Sequence, residues 1–285
     1  MSWTHLIGTR NPKLITWVLN ASTNSLVTPA MLKLWGCTSN DKCSLCEGQG
    51  SLFHILSNCQ CALKQGRYTW RHDSVMATLE IHLVKHIEKH NRSPLKAVKR
   101  NINFIRKGQD IMRKSQVKAG KKKKNTRISF LDGTRDWKYL FDYDEKQYII
   151  PVHICISDER PDIFIWSDAM KKIIMIELTC PAEENILQAR DRKTLKYKKL
   201  ISQIKDQKEG WSVIFRAIEA GSRGFISFSV SRCLRDLGMI HTKQVTQDMS
   251  EAVARCSYRI QRSSSRKDWD VQPLVVIKSA EKSVE

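Results

Sequence analysis

The 285-residue sequence has no apolar run near the roughly 20 residues that a membrane-crossing helix needs. Its best runs, Tyr148 to Ile156 and Ile173 to Ile176, are strand-sized. The opening stretch, MSWTHLIGTRNPK, lacks the basic flank, long apolar stretch and small-residue cleavage site of a secretion signal. The nine cysteines are therefore expected in a reducing compartment, where they point to metal binding more than to disulfides. No segment repeats along the chain. Acidic residues are scarce, 29 against 49 Lys and Arg, which leaves a net charge of +20 and a pI near 9.7. That excess is expected to meet a polyanion, nucleic acid first and an anionic membrane surface second. A hydrophobic fraction of 41% excludes a wholly disordered chain, and the length allows one or two domains with a core.

Composition divides the chain into four zones: 1–73, 74–135, 136–245 and 246–285. The first holds five clustered cysteines: Cys37, Cys43, Cys46, Cys59 and Cys61. The second is helical in pattern, with Val75, Leu79, Leu83 and Ile87 spaced by four, then Ala97, Ile102, Ile105 and Ile111 among many Lys and Arg. It ends at Lys121, Lys122, Lys123 and Lys124, which read equally as a nuclear import signal or a solvated linker. The third zone predicts strands over Tyr148–Ile156, Asp162–Trp166 and Lys172–Leu178. A helix from Glu184 to about Lys208, a strand over Ser212–Ile218 and a helix over Ser227–Leu237 follow. The fourth predicts a helix from Gln247 to Arg262 and a polar tail. That order is an α/β one: a mixed sheet flanked by helices, preceded by a small cysteine-rich module and a basic helical connector.

The cysteine-rich module has the spacing Cys43-x2-Cys46-x7-His54-x4-Cys59. Zinc takes four soft or borderline ligands in a tetrahedron, and a Cys-x2-Cys turn supplies two from one knuckle. His54 and Cys59 can supply the others from a short helix, with Cys37 and Cys61 as nearby substitutes. Four protein ligands describe a structural site rather than a catalytic one. Directly after it, Arg67, Tyr68, Trp70 and Arg71 interleave basic and aromatic side chains. That pattern suits phosphate contact with base stacking, and suits equally a helix start with buried aromatics. Arg106 and Lys107 extend the basic set, and Cys155, Cys180, Cys233 and Cys256 read as ordinary core or surface residues.

A second constellation is acidic. Metal-dependent nucleases need carboxylate oxygens converging on a hard cation, with a lysine near the attacking water. Pro161-Asp162 starts one predicted strand and Glu177-Leu178-Thr179 ends the next. This approximates the pattern Pro-Asp, then (Asp/Glu)-x-Lys, with Thr179 in the lysine position. The following helix offers a replacement: Ile186, Ala189, Lys193, Tyr197, Leu200 and Ile204 share one stripe, which places Lys193 toward the sheet. A lysine there needs partners, and Asp162 and Glu177 are the natural ones. Lys196, one step round the helix, is the alternate. A solvated Glu and a snorkelling Lys are the bland reading of the same residues.

Taken together, Cys43 to Cys59, Gln65-Gly-Arg-Tyr-Thr-Trp-Arg-His-Asp73, Arg160-Pro-Asp-Ile-Phe-Ile-Trp-Ser-Asp168, Ile176 to Asn185, Arg192 to Tyr197 and Ser231 to Gly238 resemble one family. It is the C-terminal zinc-binding (CCHC) and restriction-like endonuclease region of non-LTR retrotransposon reverse transcriptase polyproteins. The resemblance implies a restriction-endonuclease-like sheet and a Mg²⁺- or Mn²⁺-dependent DNA endonuclease that nicks its target. It implies Asp162 and Glu177 as metal-binding acids, Lys193 or Lys196 as the helix lysine, and Cys43, Cys46, His54 and Cys59 as ligands of structural Zn²⁺. DNA is the expected partner, with RNA and a separate reverse transcriptase beside it, no membrane, and a nuclear location. No polymerase domain precedes the zinc module in this sequence, so RNA copying by that fold is not expected of it. A catalytically inactive nucleic-acid-binding remnant is the alternative.

Overall fold

The computed structural model describes residues 12–94, 128–270 and 272–278. Two short helices, α1 (Pro12–Ser22) and α2 (Pro29–Leu34), precede the cysteine-rich module. A single π-turn (His54–Asn58), α3 (Gln60–Lys64) and the long α4 (Arg67–Arg92) follow. Then come β1 (Lys138–Phe141), β2 (Ile163–Ser167), β3 (Lys172–Thr179), α5 (Ile186–Gln207), β4 (Ser212–Glu219), α6 (Phe228–Asp236) and α7 (Thr242–Arg262).

The four strands form one mixed sheet in the order β1-β2-β3-β4. β1, β2 and β3 make an antiparallel meander, and β4 joins β3 in parallel after the α5 crossover. Only a crossover of this length can return the chain in parallel, which is why a helix stands between those two strands. β2 and β3 are buried on both faces, so they read as continuous apolar runs rather than alternating ones. One face, with Ile163, Ile165, Ile174, Ile176 and Leu178, packs with buried residues of α4, α6 and α7. The other, with Phe164, Trp166, Ile173 and Met175, packs with Tyr197, Leu200 and Ile204 of α5. The protein is thus a mixed α/β structure with helices on both faces of its sheet.

Most predicted elements are present with shifted ends. Val75, Leu79, Leu83 and Ile87 are the buried stripe of α4, and Ser227 caps α6 by accepting from the Ser229 N–H at 3.4 Å. The strand predicted over Tyr148–Ile156 is a correction: no strand forms there. Pro151 has no N–H for a ladder, and its carbonyl accepts the amides of Ile154 (2.7 Å) and Cys155 (3.2 Å), closing a turn. Tyr148, Ile150 and Ile154 are buried against the α5 face from this irregular segment. The first strand is β1, which the sequence reading missed. The zone boundaries at 73 and 245 fall inside helices. α4 runs unbroken across the first and α7 across the second, and both helices contribute to the same core.

The β2–β3 turn is fixed by Asp136, which accepts from Thr134 Oγ1 (2.5 Å), Ser167 Oγ (2.6 Å) and the Ala169 N–H (3.0 Å). Burial works against its charge, but the three donors outweigh it and hold the carboxyl down at about 2. A depressed carboxyl contributes stability that is present above its unfolded value, about 3.9, and is lost as pH falls toward about 2. Asp136→Asn is therefore expected to lower stability by about 2 kcal/mol at neutral pH. Urea denaturation at pH 6, 4 and 3 should show that gap narrowing across the acid window; a gap constant with pH would mean that the charge of Asp136 carries no weight.

Candidate metal centre and acid site

Cys43, Cys46, His54 and Cys59 converge, with all four ligand atoms within 4.8 Å of one another. Cys46 Sγ lies 3.0 Å from His54 Nε2 and 3.6 Å from Cys59 Sγ. A tetrahedral zinc with Zn–S near 2.3 Å sets sulfurs about 3.8 Å apart, so the donor set and its spacing fit that ion. The knuckle closes because the Cys43 N–H donates to the Gly48 carbonyl at 2.6 Å. A Cβ on Gly48 would stand 3.1 Å from the His54 ring and 3.5 Å from Cys46 Sγ, so a side chain there would press the ring aside by a few tenths of an ångström. His54 and Cys59 are five apart, and the i→i+5 bonding of the π-turn brings both to one side. Burial pushes the Cys59 thiol up to about 11, and a bound metal would displace that proton. Cys37, which is exposed, and Cys61 are outside the cluster.

The acids meet by register. Ile163 of β2 pairs with Ile176 of β3, so one step further Asp162 faces Glu177 across the ladder. The Asp162 N–H donates to Glu177 Oε2 at 3.1 Å. The strand pleat puts both carboxylates on the α5 side, and Lys193, between Ala189 and Tyr197 on the buried stripe of α5, forms an ion pair with Glu177 Oε1. Two tyrosines fix the approach to Asp162: Tyr197 donates to the Arg160 carbonyl at 2.8 Å and Tyr148 to that of Pro161 at 2.6 Å. Burial and then the neighbouring Asp162 charge push Glu177 above the ordinary carboxylate range, although Lys193 opposes them. Two carboxylates set against each other in a buried place are an arrangement that a cation relieves. In this structure the Lys193 ammonium does so for Glu177, which is only 1% exposed.

Asp162 and Lys193 line a cleft of about 800 Å³, together with Asn185, Gln188 and Arg192 of α5 and the residue before it, and with Ser57, Asn58 and Leu63 of the cysteine-rich module. Thr179, at the position of the pattern's lysine, also lines it. Its hydroxyl is buried without a hydrogen-bond partner among the described residues. Lys196 is not part of this grouping: it is exposed, and its ammonium donates to Tyr197 Oη at 3.0 Å.

The Arg-aromatic segment, which in sequence suited phosphate contact and a helix start with buried aromatics equally, is turned largely inward. Arg67 and Arg71 are 0% and 1% exposed. Arg67 donates to the carbonyls of Ser263 and Arg266, both at 2.7 Å, and stacks over Trp269. Arg71 donates to the carbonyls of Leu56 (2.9 Å) and Cys180 (3.0 Å) and to Ser257 Oγ (3.1 Å). Trp70 is buried, and its indole donates to the Pro273 carbonyl at 3.1 Å. The Tyr68 hydroxyl accepts from the Cys59 N–H at 3.1 Å and lies 3.0 Å from the Ile55 carbonyl. These groups have internal partners, because buried donors left unpaired are expensive, and Tyr68 and Arg71 also line the cleft beside Asp162. Arg106, Lys107 and Lys121 to Lys124 lie outside the described residues. What the sequence reading overlooked is their neighbour His72. Its Nε2 is 3.3 Å from Asp162 Oδ2 and its Nδ1 2.9 Å from Asp73 Oδ1. Burial pulls its pKa down, but the Asp162 charge and both carboxylate hydrogen bonds raise it well above the usual histidine value.

Compared with protein-family models and with curated proteins, the chain has no match to either. No helix among the described residues is long and apolar enough to cross a membrane.

Proposed function

We propose that this protein is a metal-dependent DNA endonuclease of the restriction-like kind, akin to the C-terminal region of non-LTR retrotransposon polyproteins, with a structural zinc module. The observation that carries the reading is the meeting of Asp162, Glu177 and Lys193, from two adjacent strands and the crossover helix, beside an open cleft. The element order supports it: a helix, an antiparallel meander, a crossover helix and a parallel strand, with the acids at one end of the two central strands. Substrate DNA is the polyanion that the +20 charge calls for. The nucleus is then its place of action, and RNA and a separate reverse transcriptase are the further partners that the resemblance adds.

The donor set fits a hard divalent cation, since Asp162 and Glu177 offer only oxygens and converge. They would hold Mg²⁺ or Mn²⁺, which lowers the pKa of a bound water and neutralises charge on the phosphate. Asp162 is the acid open to the cleft. Glu177 would join it once Lys193 gave up its ion pair, and the freed ammonium would then orient the attacking water or stabilise the phosphate oxygens. Thr179, uncharged, cannot take that part, but its unpartnered hydroxyl is free to hold a ligand by a hydrogen bond. Arg192, on the cleft wall, is placed to contact the backbone of the bound strand.

A nucleic-acid-binding remnant without catalysis is the second reading, favoured by the closure of Lys193 over Glu177. One experiment separates the two. Supercoiled plasmid incubated with the chain should be nicked with Mg²⁺ or Mn²⁺ and left intact with EDTA. Binding with no nicking in either metal would sink the nuclease reading.

A further inference from the structure

We propose that His72 is a positioning residue of the acid site: its Nε2–H holds Asp162 so that the carboxylate presents one oxygen to a divalent cation. The inference rests on the nuclease reading above. His72 comes from α4, the helix that leaves the zinc module, and not from the sheet that carries the acids. Its ring is held at both ends. Nδ1 lies 2.9 Å from Asp73 Oδ1, and Asp73 is itself anchored through Oδ2, which accepts the Asp144 N–H at 3.2 Å. A histidine with one nitrogen fixed by a carboxylate has its ring orientation set for whatever the other nitrogen touches.

The other nitrogen touches Asp162 Oδ2 at 3.3 Å, and the same oxygen accepts the Leu178 N–H at 2.6 Å. Both recorded bonds thus fall on Oδ2. Among the described residues this leaves Oδ1 as the oxygen available to a ligand. The helix that delivers the ring is itself pinned. One residue earlier, Arg71 ties α4 to the Leu56 carbonyl within the zinc loop and to the Cys180 carbonyl just beyond β3. His72 therefore keeps its place relative to the end of the strand that carries Glu177. A histidine serving only to fill the core would be enclosed, whereas this side chain is 22% exposed and lines the cleft.

The test uses the zinc-loaded chain with His72→Ala, His72→Gln and, as reference, Asp162→Asn. Mn²⁺ binding is read by calorimetry, and plasmid nicking is read against metal concentration. Loss of such an outer partner typically costs 10- to 100-fold in metal affinity or activity. His72→Ala is expected to bind Mn²⁺ about tenfold more weakly and to need correspondingly more metal for half-maximal nicking. The KM for plasmid should not change. His72→Gln, whose amide nitrogen reaches the position of Nε2, is expected to recover most of the loss, which a purely structural role would not allow. It also decides the matter should the alanine variant fail to fold. A parent that binds Mn²⁺ and nicks, with both His72 variants matching it, overturns this inference alone. A parent that neither binds Mn²⁺ nor nicks overturns the nuclease reading and this inference with it.

Discussion

Asp162→Asn will leave the protein folded and bound to DNA and will reduce nicking by a factor on the order of 10² to 10³, the loss seen when a group that stabilises transition-state charge is removed. Asparagine is the informative substitution because Asp162 does two things. Its Oδ2 accepts the Leu178 N–H at 2.6 Å, a bond between the start of β2 and the end of β3. An asparagine carbonyl can still accept that N–H, so the sheet end is preserved while the charge is lost. Alanine removes both and leaves a buried donor unpaired, at a cost of about 1–3 kcal/mol. Filter binding at two salt concentrations, beside plasmid nicking, separates the outcomes. Unchanged binding with lost nicking assigns Asp162 to the chemistry, and loss of both assigns it to the fold. Nicking at the parental rate would refute the acid site altogether. Glu177→Gln is a weaker probe, because it strands the Lys193 ammonium with which Glu177 pairs.

The acid pair was legible in the sequence because strand alternation and helical periodicity are local rules. Glu177 at the end of an apolar strand and Lys193 on the stripe from Ile186 to Ile204 follow from spacings of two and of three or four. The Cys/His cluster that could hold a metal was legible for the same reason, since all four residues lie within one short segment. His72 was not, because its contact with Asp162 spans 90 residues and nothing local marks it. The Arg-aromatic segment stayed open between two readings for a related reason. Arg67 and Arg71 find acceptors in the 263–266 stretch, in Leu56 and in Cys180, and a guanidinium buried among distant carbonyls looks in sequence like one waiting for phosphate. β1 was missed because it is only four residues long, Lys138–Phe141, at a sheet edge where Phe141 alone of them is buried. Tyr148–Ile156 took its place because β-rich composition records burial and not pairing.

Removing zinc should change far more than the cysteine-rich module. Apparent binding energies for structural zinc are on the order of 10–16 kcal/mol, large against the stability of a typical domain. The cluster of Cys43, Cys59 and Ala62 is small and could not hold the loop alone. Yet the loop is not an isolated finger. Ile55 and Leu56 pack with Trp17 of α1 and with Cys256 and Ile260 of α7, Tyr68 Oη takes the Cys59 N–H, and Arg71 holds the Leu56 carbonyl. Zinc loss therefore frees the loop first and then unlatches the start of α4, the helix that carries His72 into the cleft. Two transitions are expected for the metal-free protein, a low one for the module with the first turns of α4 and a higher one for the sheet, in place of one for the loaded form. Alkylation provides a residue-level readout with its own control. Cys43, Cys46 and Cys59 should be protected by zinc and exposed by a zinc-selective chelator, while Cys37, already exposed, reacts in both states. Equal labelling of Cys43, Cys46 and Cys59 with and without zinc would remove the metal from the module. Protection by zinc with no change at the start of α4, followed by hydrogen exchange, would mean that Tyr68 and Arg71 hold that helix without its help.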